Sequence, residues 1–166
     1  MRIAITGHQT LRGSRGWGWI EGELRRIVTG CSPPWIGLSS LAVGADQRFA
    51  EIVLQLGGAI EVIVPFPGYE TRFAAEEERA AYRRLLAAAQ AVKVLPRVSE
   101  NDEELYFIAG RRVVDESDLL IAVWDGRPAA GLGGTADVVA YAGRQGIKVV
   151  QVNPVDGLVT ESPRGA

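Results

Sequence analysis

Few residues in this 166-residue chain are equipped for chemistry, and those few narrow the choice. His8 is its one histidine and Cys31 its one cysteine. A zinc site of Cys and His ligands therefore lacks donors, no internal disulfide can form, and a Ser-His-Asp triad could draw only on His8. The strongest remaining signal is a glycine-rich stretch, Gly131-Leu-Gly-Gly-Thr-Ala-Asp137, running straight into a segment with helical periodicity. Free amides at a helix amino terminus, with the macrodipole, favour an anion by about 0.3–1 kcal/mol, and glycine removes side chains that would block its approach. The same glycines would also serve a plain sharp turn; a phosphate cradle over 131–135 is the preferred reading of the two. No metal and no cofactor are called for.

Positioning such residues falls to the elements around them. Runs rich in Ile, Val and Leu at 2–6, 35–39, 61–66, 91–95, 119–124 and 148–152 read as strands buried on both faces. Segments with helical periodicity lie between them at 19–29, 44–56, 74–90, 102–116 and 135–145. Ser99, Asn101 and Asp102 can cap the fourth helix, while Gly57-Gly58 and Gly146 end two others. The alternation predicts one α/β domain over 1–153, a doubly wound, mostly parallel sheet of about six strands between helical layers. Residues 154–166 carry no periodic pattern and are expected to trail off as a flexible tail. A chain of this length buries about 68–70% of its unfolded surface, enough for a core without staples.

In such a sheet ligands bind beyond the carboxyl ends of the strands, where the strand order reverses, so the loops that follow strands carry the candidates. After the first strand, Gly7 permits close backbone approach and His8, Gln9 and Thr10 offer donors, without a G-x-G-x-x-G fingerprint or a P-loop lysine. His8 reads equally as a ligand contact or as a hydrogen-bonded structural residue. After the second, Ser39, Ser40 and Gly44 are small or hydroxylated, and Asp46 could accept bonds from a ribose or cap the next helix. The third leads into a stiff Pro-Gly turn presenting Tyr69, suited to stacking on a base or to packing at the sheet edge. The fifth ends in Asp125-Gly126 ahead of the loop bearing Gly131, Gly133, Gly134 and Thr135. Arg12, Arg15, Trp17 and Trp19 could form a flap over the ligand, though anchoring the first helix or a dimer contact suits the tryptophans better.

The net charge of -2 and isoelectric point near 5.5 leave no basic footprint, which argues against nucleic acid as a partner. The opening "MRIAIT" has no secretory pattern and no apolar run approaches the ~18 residues of a membrane span, so a cytoplasmic protein without membrane attachment is expected.

These loops together resemble the SLOG superfamily, the Rossmann-like nucleotide-ligand binders that include LOG-type nucleotide phosphoribohydrolases and the DNA-processing protein A domain. The likeness runs from "MRIAITGHQTL" through "GLSSLAVGADQRFAEIV" and "VDESDLLIAVWDGRPAAGLGGTADVVAYA" to "KVVQVNP". It implies a nucleotide phosphate or ribose held by Gly131, Gly133, Gly134 and Thr135, with Gly7 and residues 39–44 closing the cleft, and a homodimer or larger assembly. The LOG loop pattern P-G-G-x-G-T-x-x-E places Val138 where its catalytic glutamate stands, and the similar deoxyribosyltransferase pattern does the same. Valine neither transfers a proton nor stabilises an oxocarbenium ion. Binding of a nucleotide or nucleotide-derived signal is therefore the leading function. N-glycosidic hydrolysis or transfer is the alternative, with Asp137, Asp125 or Glu116 as carboxylate and Arg111 or Arg112 near the family's upstream arginine.

Overall fold

A computed structural model describes residues 1–11, 15–129 and 131–162 of the chain. Seven strands, β1 (Arg2–Gly7), β2 (Ile36–Ser39), β3 (Ala59–Val64), β4 (Ala91–Val94), β5 (Leu119–Val123), β6 (Lys148–Val152) and β7 (Val159–Glu161), form one sheet. Five helices connect them: α1 (Trp17–Thr29), α2 (Ala45–Gln55), α3 (Glu76–Ala88), α4 (Asp102–Asp115) and α5 (Thr135–Arg144), with a 3-10 turn at Tyr69–Arg72. The sheet order is β4-β3-β2-β1-β5-β6-β7. From β1 the chain winds outward to β4, then returns to lay β5 against the other side of β1, with Ile3 beside Leu119 and Gly7 beside Val123. The order reverses between β1 and β5, and their diverging loops leave a crevice there.

Burial explains the strand types except at the sheet edge, where all four residues of β4 are exposed and the expected burial on both faces fails because no further strand or helix covers them. All five residues of β5, Leu-Leu-Ile-Ala-Val, are buried, and the helices pack on both faces. The core of α1, α2 and α3, centred on Ile20, Leu24, Phe49 and Tyr82, meets Ile3, Ile5 and Ile121. On the opposite face, Ala109 and Val113 of α4 and Val138 and Ala142 of α5 meet Ala4, Leu120 and Ala122. The two periods, one of strands and one of helices, thus interlock as three layers. Among the predicted caps, Asn101 holds α4 by accepting the Glu103 amide at 3.0 Å, while Ser99 accepts the Asn101 amide at 3.0 Å.

The carboxyl-terminal expectation needs correction. Residues 159–161 form β7, antiparallel to β6 with Val152 beside Val159, so the ordered fold extends past 153. Asn153 Oδ1 accepts the Val155 amide at 2.9 Å and Asp156 Oδ1 accepts the Leu158 amide at 2.8 Å, turning the chain back onto the sheet. A strand of three residues is too short to show a period, which is why the pattern hid it. The last four residues of the expected tail lie outside the described residues.

Candidate functional site

Loops from β1, β2, β3 and β5 converge on a cleft of about 620 Å³ over the β1/β5 switch point. Of the residues singled out in the sequence, Gly7, His8, Gln9, Ser40, Asp46, Asp125, Gly133, Gly134 and Thr135 line it, with Tyr69 at the β3 side. Ser39, Gly44, Gly126, Gly131, Asp137 and Arg111 do not.

At the centre, His8 and Asp125 meet across the switch point. His8 Nε2 lies 3.3 Å from Asp125 Oδ1 and 3.3 Å from the Asp125 amide, so one nitrogen can donate to the carboxylate or accept from the backbone. The Asp125 side chain is only 7% exposed. Burial alone would push its carboxyl up, but the Arg127 amide, His8 and the Arg127 guanidinium outweigh that and hold it below the usual value. His8 is thus both hydrogen-bonded and part of the cleft lining, so its two readings are not exclusive. Gly7 is glycine for a packing reason, because a Cβ there would stand 2.6 Å from that of Ala45 and 2.8 Å from that of Val123.

The β2 loop is built around Asp46. Its carboxylate accepts the Ser39 hydroxyl at 2.9 Å and the Ser40 amide at 3.3 Å, and the Ser39 oxygen accepts the Leu41 amide at 2.8 Å. These bonds hold Leu41 at a φ of 56°, a left-handed conformation uncommon for leucine. Asp46 therefore braces its loop rather than capping α2, whose cap is Gly44 at φ 92. Ser39 is 1% exposed and supports the site from below. A Cβ on Gly44 would meet the carbonyl oxygens of His8 and Gln9 at 2.6 Å, so glycine there lets the β1 and β2 loops touch.

The glycine stretch divides in two. Its first half packs on α4: a Cβ on Gly131 would come within 2.6 Å of Glu103 Oε1, and one on Gly133 within 2.6 Å of the Glu103 carbonyl oxygen. The Leu132 amide donates to Glu103 Oε2 at 3.2 Å and the Gly133 amide to Asp137 Oδ2 at 2.9 Å. Two of the chain's own carboxylates thus occupy the amides of the expected cradle. Asp137 is a clasp on the loop, which removes it from the catalytic candidates facing the cleft. The second half is open: among the described residues, the amides of Gly134, Thr135 and Ala136 have no partner, and all three residues line the cleft. Gly134 is the α5 cap, so the Thr135 hydroxyl is not spent on capping.

Of the remaining catalytic candidates Asp125 lines the cleft, and Arg111 and Glu116 do not. Arg111 stacks over the Tyr141 ring at 4.9 Å on the outer face of α4 and α5. Glu116 pairs with Lys93 at 2.9 Å and Arg112 at 2.5 Å near the amino end of β5, opposite the cleft. Gly126 turns the chain at φ 82 just after Asp125. Val138 does line the cleft, 4% exposed, over Gly110. Trp17 and Trp19 begin α1 and pack against the core, under Arg48 at 4.5 Å and Arg15 at 5.6 Å respectively, while Arg12 lies outside the described residues.

Sequence reasoning missed Arg72, Glu78, Tyr106 and Arg127, which all line the cleft. Arg72 stands three residues after Tyr69 in a 3-10 turn, where positions i and i+3 share a face. That spacing, in "GYETR", was the available signal.

No protein-family model matches the chain and no curated protein does. Solved structures do match. DNA processing protein A from Helicobacter pylori, studied for its single-stranded DNA binding mode, superposes with a TM-score of 0.65 at 14% identity over 95% of this chain and 69% of that one. The same-named protein (DprA) from Streptococcus pneumoniae gives 0.64 at 16% identity over 95% of this chain, which spans 52% of that protein. The molybdenum cofactor binding protein from Rippkaea orientalis gives 0.55 at 18% identity, covering 92% of this chain and 76% of that one. The chain shares the Rossmann-like α/β fold of these proteins, the fold that the sequence resemblance implied. At such identities the likeness is one of fold, and it lends no support to the expectation against nucleic acid. Among the described residues no helix is long and apolar enough to cross a membrane.

Proposed function

We propose that the chain binds a nucleotide or nucleotide-derived small molecule in this cleft, as a sensor or carrier would, and holds it without cutting it. The phosphate sits on the first turn of α5 and the ribose hydroxyls on Asp125. One observation carries this reading: Gly134, Thr135 and Ala136 line the cleft together at the switch point, and their amides and the Thr135 hydroxyl have no partner among the described residues. An anion gains there from the amides and the dipole, up to ~2 kcal/mol when partly buried. Asp125 suits the ribose better than Asp46 does, because the Asp46 carboxylate is committed to Ser39 and Ser40. Val138 on the cleft floor supplies no acid or base.

Thermal-shift screening and calorimetry with nucleoside monophosphates, ADP-ribose and dinucleotides test the proposal. Thr135→Pro is the sharp variant. Gly134 already has the extended backbone (φ -70, ψ 171) that precedes proline well, and proline suits the first helical position, so α5 should survive. The substitution removes one amide and one hydroxyl, and affinity should fall about tenfold. Undiminished affinity in the folded variant would sink the phosphate placement. Sedimentation equilibrium checks the proposed homodimer or larger assembly.

The His8–Asp125 pair favours a second reading, N-glycosidic hydrolysis or transfer with Asp125 as the carboxylate. Release of free base from nucleoside monophosphates, abolished in Asp125→Asn, would establish it.

A further inference from the structure

The β3 end of the cleft, which the phosphate and ribose leave empty, holds an unusual set of unspent polar groups. Tyr69 is 6% exposed, its ring wedged edge-on among Phe66, Phe73, Tyr82 and Tyr106, and its hydroxyl has no hydrogen-bond partner among the described residues. Burial, and then the charge of Asp46, raise that phenol well above its ordinary value, so it stays a donor. Arg72 stands one 3-10 turn along on the same face. Its Nε pairs with Asp102 at 2.7 Å and its guanidinium lies over the Phe66 ring at 5.8 Å, with no hydrogen-bond partner for the terminal nitrogens among the described residues. Glu78 supplies the acceptor: Oε2 takes the Ala75 amide at 3.1 Å, and Oε1 has no partner among the described residues. The three residues come from the β3 loop and the first turn of α3, and all line the one cleft.

A second phosphate fits this end poorly, since Asp46 and Glu78 would both repel it. A neutral heterocycle that presents an acceptor beside a pair of donors fits it well. From the β5 loop to the β3 loop is three strand spacings, ~14 Å, a span of the same order as an extended purine nucleotide. We propose that this end is a base subsite selective for guanine: Glu78 accepts from the ring N–H and exocyclic amine, and Tyr69 and Arg72 donate to the adjacent carbonyl oxygen. Adenine offers neither the ring N–H nor the carbonyl at those positions, so it leaves the carboxylate and the buried phenol unpaired. Discrimination of this kind is strong because a buried polar group left without a partner costs its desolvation.

The inference rests on the phosphate site proposed above, and its test separates the two. Calorimetry on the full chain with GMP, IMP, AMP and ribose 5-phosphate should rank GMP above IMP above AMP, with GMP at least about tenfold tighter than AMP. Glu78→Gln should weaken GMP about tenfold without weakening AMP, because it removes the carboxylate that adenine leaves unpaired. Tyr69→Phe, which keeps the aromatic packing, should narrow the gap between GMP and AMP with the melting temperature preserved. AMP binding as tightly as GMP, or Glu78→Gln weakening both equally, would overturn the guanine subsite while the phosphate site stands. Failure of ribose 5-phosphate and all three nucleotides to bind would overturn both.

Discussion

Asp46 lies buried beneath the cleft, where desolvation pushes its carboxyl up from 3.8 to about 6 against the Ser39 hydroxyl and the Ser40 and Ala42 amides that favour its charge. The folded chain therefore holds this proton more tightly than the unfolded chain does. The stability gained from the protonated form is complete below about pH 4 and is lost as pH rises through about 6, in total about 3 kcal/mol. Asp46→Asn should lack this component. Urea unfolding between about pH 4 and pH 7 should show wild-type stability declining relative to the variant, and a constant difference would exclude the effect. Gly110 offers a second check at this scale. A Cβ there would stand 2.7 Å from Val138 Cγ2, an overpacking of about 1–3 kcal/mol set against about 1 kcal/mol of helix propensity. Gly110→Ala should lower the melting temperature, and adding Val138→Ala should recover part of the loss, read as a non-additive cycle. Val138 was legible in the sequence as the residue replacing a glutamate; its contact with Gly110 was not.

The glycine loop and α5 show how an element can disguise its reasons. A run of glycines before a helix suggests an anion, and the first turn of α5 is where the phosphate is proposed to sit. Yet Gly131 and Gly133 are small because α4 crosses them closely, through Glu103 and Phe107. Glu103 illustrates the limit of local reading: it sits in the first turn of α4, where the dipole accounts for a carboxylate, and its side chain serves a loop 29 residues away. Two glycines of one region should respond oppositely to alanine. Gly133→Ala, at φ 82 and against the Glu103 carbonyl oxygen, should cost more than about 2 kcal/mol. Gly143→Ala, inside α5 with nothing within 4 Å, should gain about 0.5–1 kcal/mol. Thermal unfolding should show these as shifts of opposite sign, about 2–4 °C per kcal/mol in a chain of this size.

Across the whole molecule, two cores flank the sheet, and Phe49 at the contact of α2 with β2 is the sharpest probe of the one beneath α1, α2 and α3. It is fully buried, and Gly37 is small in part to admit its ring. Phe49→Ala should cost about 3–5 kcal/mol by denaturant unfolding, a large share of the 5–15 kcal/mol typical of a domain. A loss under about 1 kcal/mol would mean the core collapses around the gap. The number, kind and near-boundaries of the first six strands and all five helices were determined by the sequence, because periodicity and breakers act within a few residues. So were the four loops that carry the candidates, since in an alternating α/β chain ligand-facing loops follow strands. Only the tertiary structure decided that His8 meets Asp125, that Glu103 and Asp137 take the amides of Leu132 and Gly133, and that Tyr69, Arg72 and Glu78 line one cleft. Such pairings join residues far apart in the chain, and their partners are chosen by strand order and helix packing, which no local pattern of residues encodes.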